Sequence, residues 1–216
     1  MSQSSDKSIA VMEPHSYTRD NDFFIDVKPL YLRAEGTLFC VPRHYFEKSE
    51  VWEGLFTLPA TSDSPREGSS EDYPLFLESI KADDLREFLR VLSCRLLAAG
   101  DGTSIRFIPT SWLPVLKLAS LWNFPKLRAL ALKYLKSQDC MTRLRISRQY
   151  DVKEWFLPAL KEVAVRTEPL TMDDVKELGL EFALKVMALR EKARGAPCIA
   201  SDLHDYDIDR ILGKET

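Results

Sequence analysis

The period of the apolar residues changes along this chain, from two near the start to 3.6 beyond residue 80, and that change limits the fold more than any single motif. Leu30, Leu32 and Ala34 alternate, Glu35-Gly36 interrupts, and Leu38 to Val41 forms a second apolar run. Two short runs around a glycine-containing pair predict a β-hairpin. Pro29 implies a late start or an edge position, because it has no N–H to give a central ladder. Leu85, Phe88, Leu89 and Leu92 then stand at i, i+3, i+4 and i+7, and Trp112, Val115, Leu116 and Ala119 repeat the spacing. Each set lies on one face of a helix.

Between these regions the chain is punctuated. Pro42 closes the second strand, Arg43 to Lys48 predicts a short helix, and Glu50 to Phe56 predicts another that presents Val51, Trp52, Leu55 and Phe56. Thr61 to Asp72 is a polar loop by composition, and Tyr73 to Leu77 is a third strand whose proline suits an edge. Pro125 fits the first turn of a helix whose inner face is Leu127, Leu130, Ala131, Tyr134 and Leu135. Beyond Cys140 every segment reads as helix. Met141 to Gln149 is one; Asp151 to Glu154 resembles a capping pattern for the next, which Pro158 is expected to kink or split. Thr171 to Asp174 starts a last helix through Val175, Leu178, Phe182, Val186 and Leu189, ended by Gly195. Leu180, Ala183, Leu184 and Met187 on its other side predict packing on two surfaces.

Net charge and cysteine placement exclude several classes of function. With 30 Lys+Arg against 33 Asp+Glu in 216 residues the net charge is −3, which is poorly suited to general nucleic-acid binding, since that affinity comes from neutralising phosphates. Cys40, Cys94, Cys140 and Cys198 form no CxxC pair, so neither a zinc site nor a disulfide framework is expected. Nothing reaches the ~18 apolar residues of a membrane span, and the N-terminal sequence shows no secretory signal pattern. An intracellular location, nuclear or cytoplasmic, is the expectation.

Candidate chemistry is sparse. Cys40 and His44 stand four apart, but a thiol–imidazole site needs an orienting third group, and Cys40 in a strand is expected to be packed. His15 and His204 fall in polar ends. Asp83-Asp84 and Asp173-Asp174 open predicted helices, where the helix dipole favours negative charge. Lys126, Arg128, Lys133, Lys136, Arg143, Arg145 and Arg148 form a basic run with Asp139; it reads either as a solvated helix face or as a docking surface. No catalytic residue, cofactor site or metal site is assigned.

The order of these parts resembles a known family. Asp26-Val27, the hairpin ending Phe39-Cys40-Val41, Pro42-Arg43-His44-Tyr45-Phe46 and Ser49-Glu50-Val51-Trp52 resemble the opening of a BTB/POZ domain. The third strand, the helix beginning Ala82-Asp83-Asp84-Leu85 and the hairpin VLKLASLWNFPKLRALALKYL continue that order. Arg148 to Val152, Trp155, Pro158 and Glu168 to Thr171 resemble the helical extension of BTB proteins abundant in mushroom-forming fungi. The resemblance implies an α+β fold, a BTB/POZ-like small sheet packed on a helical cluster, followed by an all-helical C-terminal extension. It divides the chain into a flexible N-terminal segment (1–22), a BTB/POZ-like domain (23–137), the extension (138–195) and a flexible tail (196–216).

It further implies a non-catalytic protein–protein interaction module: a homodimer, with Asp26 and Arg43 in a charged pocket at the dimer interface, and a possible substrate adaptor on a cullin scaffold of a ubiquitin ligase. The alternatives are a transcriptional or scaffolding dimer without cullin contact and, from another class, a small thiol enzyme. Pro42 stands where the family has histidine and Trp52 where it commonly has phenylalanine. Ser104 to Pro109, where the cullin-associated motif belongs, holds no glutamate. Neither a membrane nor direct nucleic-acid contact is expected.

Overall fold

A computed structural model describes residues 27–58, 65–97 and 109–195, together with 208, 210 and 211. Among them are three strands and eight α-helices, an α+β arrangement of a small sheet and a large helical part whose C-terminal portion is entirely helical. Strands β1 (Pro29–Ala34) and β2 (Thr37–Pro42) form the expected antiparallel hairpin, with Leu32 opposite Phe39 and Tyr31 opposite Cys40. β3 (Leu75–Phe76) runs parallel to β1, giving the order β2-β1-β3. β3 is an edge strand, as its proline suggested. β1 is central and starts at Pro29 itself, contrary to the expectation of a late start or an edge; as the first residue, Pro29 interrupts no interior ladder bond.

Leu30, Leu32 and Ala34 point from β1 into the core, as the period of two required. Cys40, expected to be packed, is exposed on β2, because it alternates with the inward Phe39 and Val41. Arg43–Tyr45 is a single 3-10 turn, shorter than the helix expected there. Helix α1 (Glu50–Thr57) is capped by Ser49, whose Oγ accepts the Trp52 N–H at 3.3 Å. Its Trp52 is buried, while Val51 on the other side is exposed.

α2 (Ala82–Leu97) takes its first N–H partner from far away: Ala82 N donates to Glu35 Oε2 at 3.0 Å, so the hairpin turn caps this helix. α3 (Trp112–Leu121) and α4 (Pro125–Leu135) form the expected helical hairpin, with Pro125 in the first turn. Of the predicted α4 face, Leu127, Ala131 and Leu135 are buried. Tyr134 is exposed and stacks on Trp112, ring centroids 4.2 Å apart.

α5 (Cys140–Gln149) is capped by the Asp139 carboxylate, which accepts the Met141 and Thr142 amides at 3.0 Å. α6 (Lys153–Val165) starts after Val152 with no side-chain cap, so the Asp151 pattern does not act as expected. Nor does Pro158 split α6. Both Pro158 and Glu154, the residue whose carbonyl it leaves without a helical donor, are exposed, so that carbonyl stays open to solvent. α7 (Met172–Leu178) begins with the full capping box of Thr171 and Asp174. The single long helix expected from Thr171 onward is interrupted at Gly179, whose φ of 81° and ψ of 144° suit glycine alone. α8 (Leu180–Gly195) follows.

Two hydrophobic clusters result. The first joins the sheet to α1–α4 around Phe46, Trp52, Phe88, Trp122 and Phe124 and takes in Ile146 and Val152. The second joins α5–α8 around Met141, Leu144, Leu160, Val163, Phe182, Val186 and Leu189. α8 buries one side only; of the four residues expected on a second surface, Ala183 joins the buried side, while Leu180, Leu184 and Met187 are 67%, 56% and 45% exposed. The stretch expected to be a tail is packed where it is described: Ile208 is 1% exposed within the second cluster, and Ile211 lies against it.

Candidate functional site

Asp26, half of the expected charged pocket, lies outside the described residues, as do His15, His204 and residues 104–108. Arg43 is well defined. Its backbone N–H donates to Lys28 O at 2.9 Å, which closes the hairpin onto the 3-10 turn. Its guanidinium sits 4.0 Å over the Phe56 ring, with Nε 3.7 Å from Glu47 Oε1. That Nε is buried without a hydrogen-bond acceptor. Arg43, Lys28, Phe56, Arg66, Glu67 and Ser69 line a cavity of about 250 Å³. One of its basic groups is already engaged, because Arg66 donates to the carbonyls of Leu55, Phe56 and Leu58 and so caps the C-terminus of α1. What the cavity offers is a cationic wall with one carboxylate, a shape for an acidic side chain.

Cys40 and His44 have separate neighbours. Cys40 faces Tyr31 across the ladder, and its charge, more than burial, raises the Tyr31 phenol above its ordinary pKa. The His44 ring meets Tyr45 edge-on at 4.8 Å. No carboxylate–imidazole–thiol relay is assembled among the described residues. No group of three His, Cys, Asp or Glu among them could hold a metal ion. The paired aspartates are all engaged in ion pairs, and Asp174 also completes the capping box of α7. Asp84 binds Lys117 at 2.8 Å and Asp83 binds Arg86; Asp174 binds Arg166 at 2.8 Å and Asp173 binds Lys176 at 3.1 Å.

The basic run is largely spent inside the molecule. Arg128 donates to Tyr150 O at 2.7 Å, Arg143 pairs with Glu162, and Arg145 pairs with Glu177 at 2.9 Å. Arg148 donates to Leu178 O at 2.8 Å and lies 3.8 Å over the Phe182 ring. These arginines fasten α4, α6, α7 and α8 to α5, so most of what reads as a docking stripe is internal stitching. Beside them is an open groove of about 520 Å³ lined by Arg148, Lys153, Phe156, Leu157 and Phe182.

No protein-family model matches the chain, and no curated protein matches it.

Arg190 and Glu35 escaped the sequence reading. Arg190 is buried and donates to the carbonyls of Val163, Arg166 and Glu168, closing the C-terminal end of α6. Burial, then the nearby Arg194 and Arg166, lower its pKa from the usual arginine value. Its position on the inward arc of α8, one residue after Leu189, is a signal that a helical projection carries. Glu35 leaves no such trace, because its partner is 47 residues away. No helix among the described residues is long and apolar enough to cross a membrane.

Proposed function

We propose that this chain is a BTB/POZ-type protein-interaction module that self-associates and performs no covalent chemistry. The observation that carries the reading is topological. A β1–β2 hairpin, a short turn and helix, a β3 parallel to β1, and a helical hairpin follow one another in the order that the sequence resemblance implies. Exposed large apolar side chains in the same part of the chain (Val27, Leu38, Val51, Leu58 and Phe76) agree with a surface meant to be covered. So does the cationic cavity at Arg43, suited to a carboxylate such as that of Asp26. Between the two partner classes, the scaffolding dimer fits better than the cullin adaptor, since Ser104 to Pro109 lacks the glutamate the adaptor motif uses.

Light scattering on the purified chain tests it. At micromolar concentration the expected mass is twice the 24.8 kDa of one chain. Arg43→Glu, with its circular dichroism unchanged, is expected to shift that mass toward the monomer. A wild-type chain that stays monomeric overturns the proposal.

A further inference from the structure

We propose that Ser69 is a phosphorylation site, modified by an acid-directed protein kinase, and that the cavity at Arg43 receives its phosphoryl group. Ser69 lies in the loop before β3, is exposed, and lines that cavity with Lys28, Arg43 and Arg66. Three cations therefore surround one hydroxyl, against the single carboxylate of Glu67 in the same lining. Arg66 is spent on the carbonyls that end α1. Arg43 is not: its Nε is buried with no acceptor among the described residues, and its contact with Glu47 is a loose 3.7 Å. A buried donor without a partner is costly, and a phosphoserine brings up to two negative charges and three strong acceptor oxygens. Hydrogen bonds between such an oxygen and a guanidinium are charge-assisted and correspondingly strong.

The loop carries the matching recognition element on its outer side. Glu71 and Asp72 stand two and three residues after Ser69. Both are exposed, and neither forms an ion pair with any described residue. A kinase that selects its target by downstream carboxylates reads them by complementary charge. The neighbouring Ser70 has Tyr73 at the third position, so the two hydroxyls are distinguished. The backbone fixes where Ser69 stands. Its N–H donates to Arg66 O at 3.1 Å, closing a turn around Gly68, whose φ is 80°. Gly68 O in turn accepts the Tyr31 N–H of β1 at 3.0 Å, and Gly68 N donates to Tyr73 O at 2.7 Å. A phosphate added there meets cations already in position, with little ordering left to pay. In the transfer, Ser69 Oγ bonds to the γ-phosphorus of magnesium ATP and the bond from that phosphorus to the bridging oxygen breaks. ADP leaves, and the hydroxyl proton passes to the catalytic aspartate of the kinase. The inference uses the loop and the cavity alone and does not rest on the family reading.

The test treats the full-length chain with magnesium ATP and a purified kinase that selects an acid three residues after serine, and maps the product by tandem mass spectrometry. Phosphate on Ser69 is expected, at a rate that Asp72→Asn lowers several-fold. No transfer to Ser69, transfer to Ser70 in its place, or an unchanged rate in that variant overturns the proposal. Phosphorus NMR then reads where the group sits. A solvated phosphoserine has a second pKa of about 6, and nearby cations favour the dianion, so the folded product is expected to titrate at least ~0.5 unit lower. Unfolding the same sample in urea should restore the ordinary value, a comparison that needs no variant. Arg43→Gln, with its circular dichroism unchanged, should move the folded value back toward the one in urea. Equal values in the folded and urea-unfolded product, or a lowered value that Arg43→Gln leaves in place, overturn the proposal.

Discussion

Ser49 makes two connections with one hydroxyl, and their sum is measurable. Its Oγ accepts the Trp52 amide at the start of α1 and donates to Trp122 O at 2.5 Å, 73 residues away at the end of α3. The side chain is wholly buried beside the Phe46–Trp52–Trp122 aromatic cluster. Ser49→Ala removes the cap, at about 1 kcal/mol, and strands a buried carbonyl, at about 1–3 kcal/mol; the expected loss is about 2–4 kcal/mol. Ser49→Gly keeps most of the capping ability, since glycine at this position costs only a few tenths of a kcal/mol, but it strands the same carbonyl. Alanine should therefore be worse than glycine by roughly 1 kcal/mol.

Urea unfolding followed by tryptophan fluorescence reads this directly. All four tryptophans, Trp52, Trp112, Trp122 and Trp155, belong to the first cluster or pack against it, so the signal reports the half that contains Ser49. With a slope of about 2 kcal/mol/M, Ser49→Ala should lower the midpoint by about 1–2 M at unchanged slope. A shift below about 0.25 M refutes the double role. Glycine and alanine variants of equal stability refute the cap.

Other substitutions probe single features. Gly68 has a φ of 80°, and a Cβ there would stand 2.9 Å from Leu30 Cδ1; Gly68→Ala should cost about 2 kcal/mol or more in the same assay. A Cβ at Gly179 would find no atom within 4 Å beyond its chain neighbours, so the cost of Gly179→Ala, about 1–3 kcal/mol, should be conformational and should appear in helical circular dichroism. Arg190→Lys replaces a planar fork that serves three carbonyls, and despite keeping the charge it should destabilise the α6–α8 pair by about 2–3 kcal/mol on thermal or chemical unfolding.

Asp139 supplies a pH-dependent case. Partial burial pushes its carboxyl up, but the hydrogen bonds from Thr142 and Met141 outweigh this and hold it below the ordinary value. A lowered folded-state pKa contributes stability above the unfolded value, about 3.9, and loses it as pH falls through the folded value. Asp139→Ala should thus cost about 1 kcal/mol near neutrality, and that cost should shrink in acid below the carboxylate range. A cost that does not change with pH refutes the assignment.

The elements whose evidence is local were legible in the sequence. The hairpin followed from alternation at Leu30, Leu32 and Ala34, α2 and α3 from their apolar stripes, and the start of α7 from Thr171 and Asp174. Illegible were features set by partners distant in sequence. The central place of β1 depends on β3 pairing with Leu32 and Arg33, some forty residues later. The exposure of Cys40 depends on which side of β2 faces the core, and the run Leu38 to Val41 is apolar at every position. Gly179 sits inside a continuous helical spacing, so the period concealed the break that its positive φ makes. The basic run looked like a free surface because its acceptors, Glu162, Glu177 and the carbonyls of Tyr150 and Leu178, are supplied by other segments. Of the candidate pocket, Arg43 was found through the resemblance, while Arg66, with its partners in α1 and just beyond, had no signature of its own.

Helix α5 belongs to both halves of the molecule. Leu144 and Ile146, two residues apart and thus on nearly opposite faces, enter different clusters, so a turn of this helix about its axis disturbs both neighbours together. The shared helix acts as a party wall between two rooms: Ile146 is set into one and Leu144 into the other, so the two cores meet across a single turn of backbone and neither can be repacked without reckoning with the same ten residues.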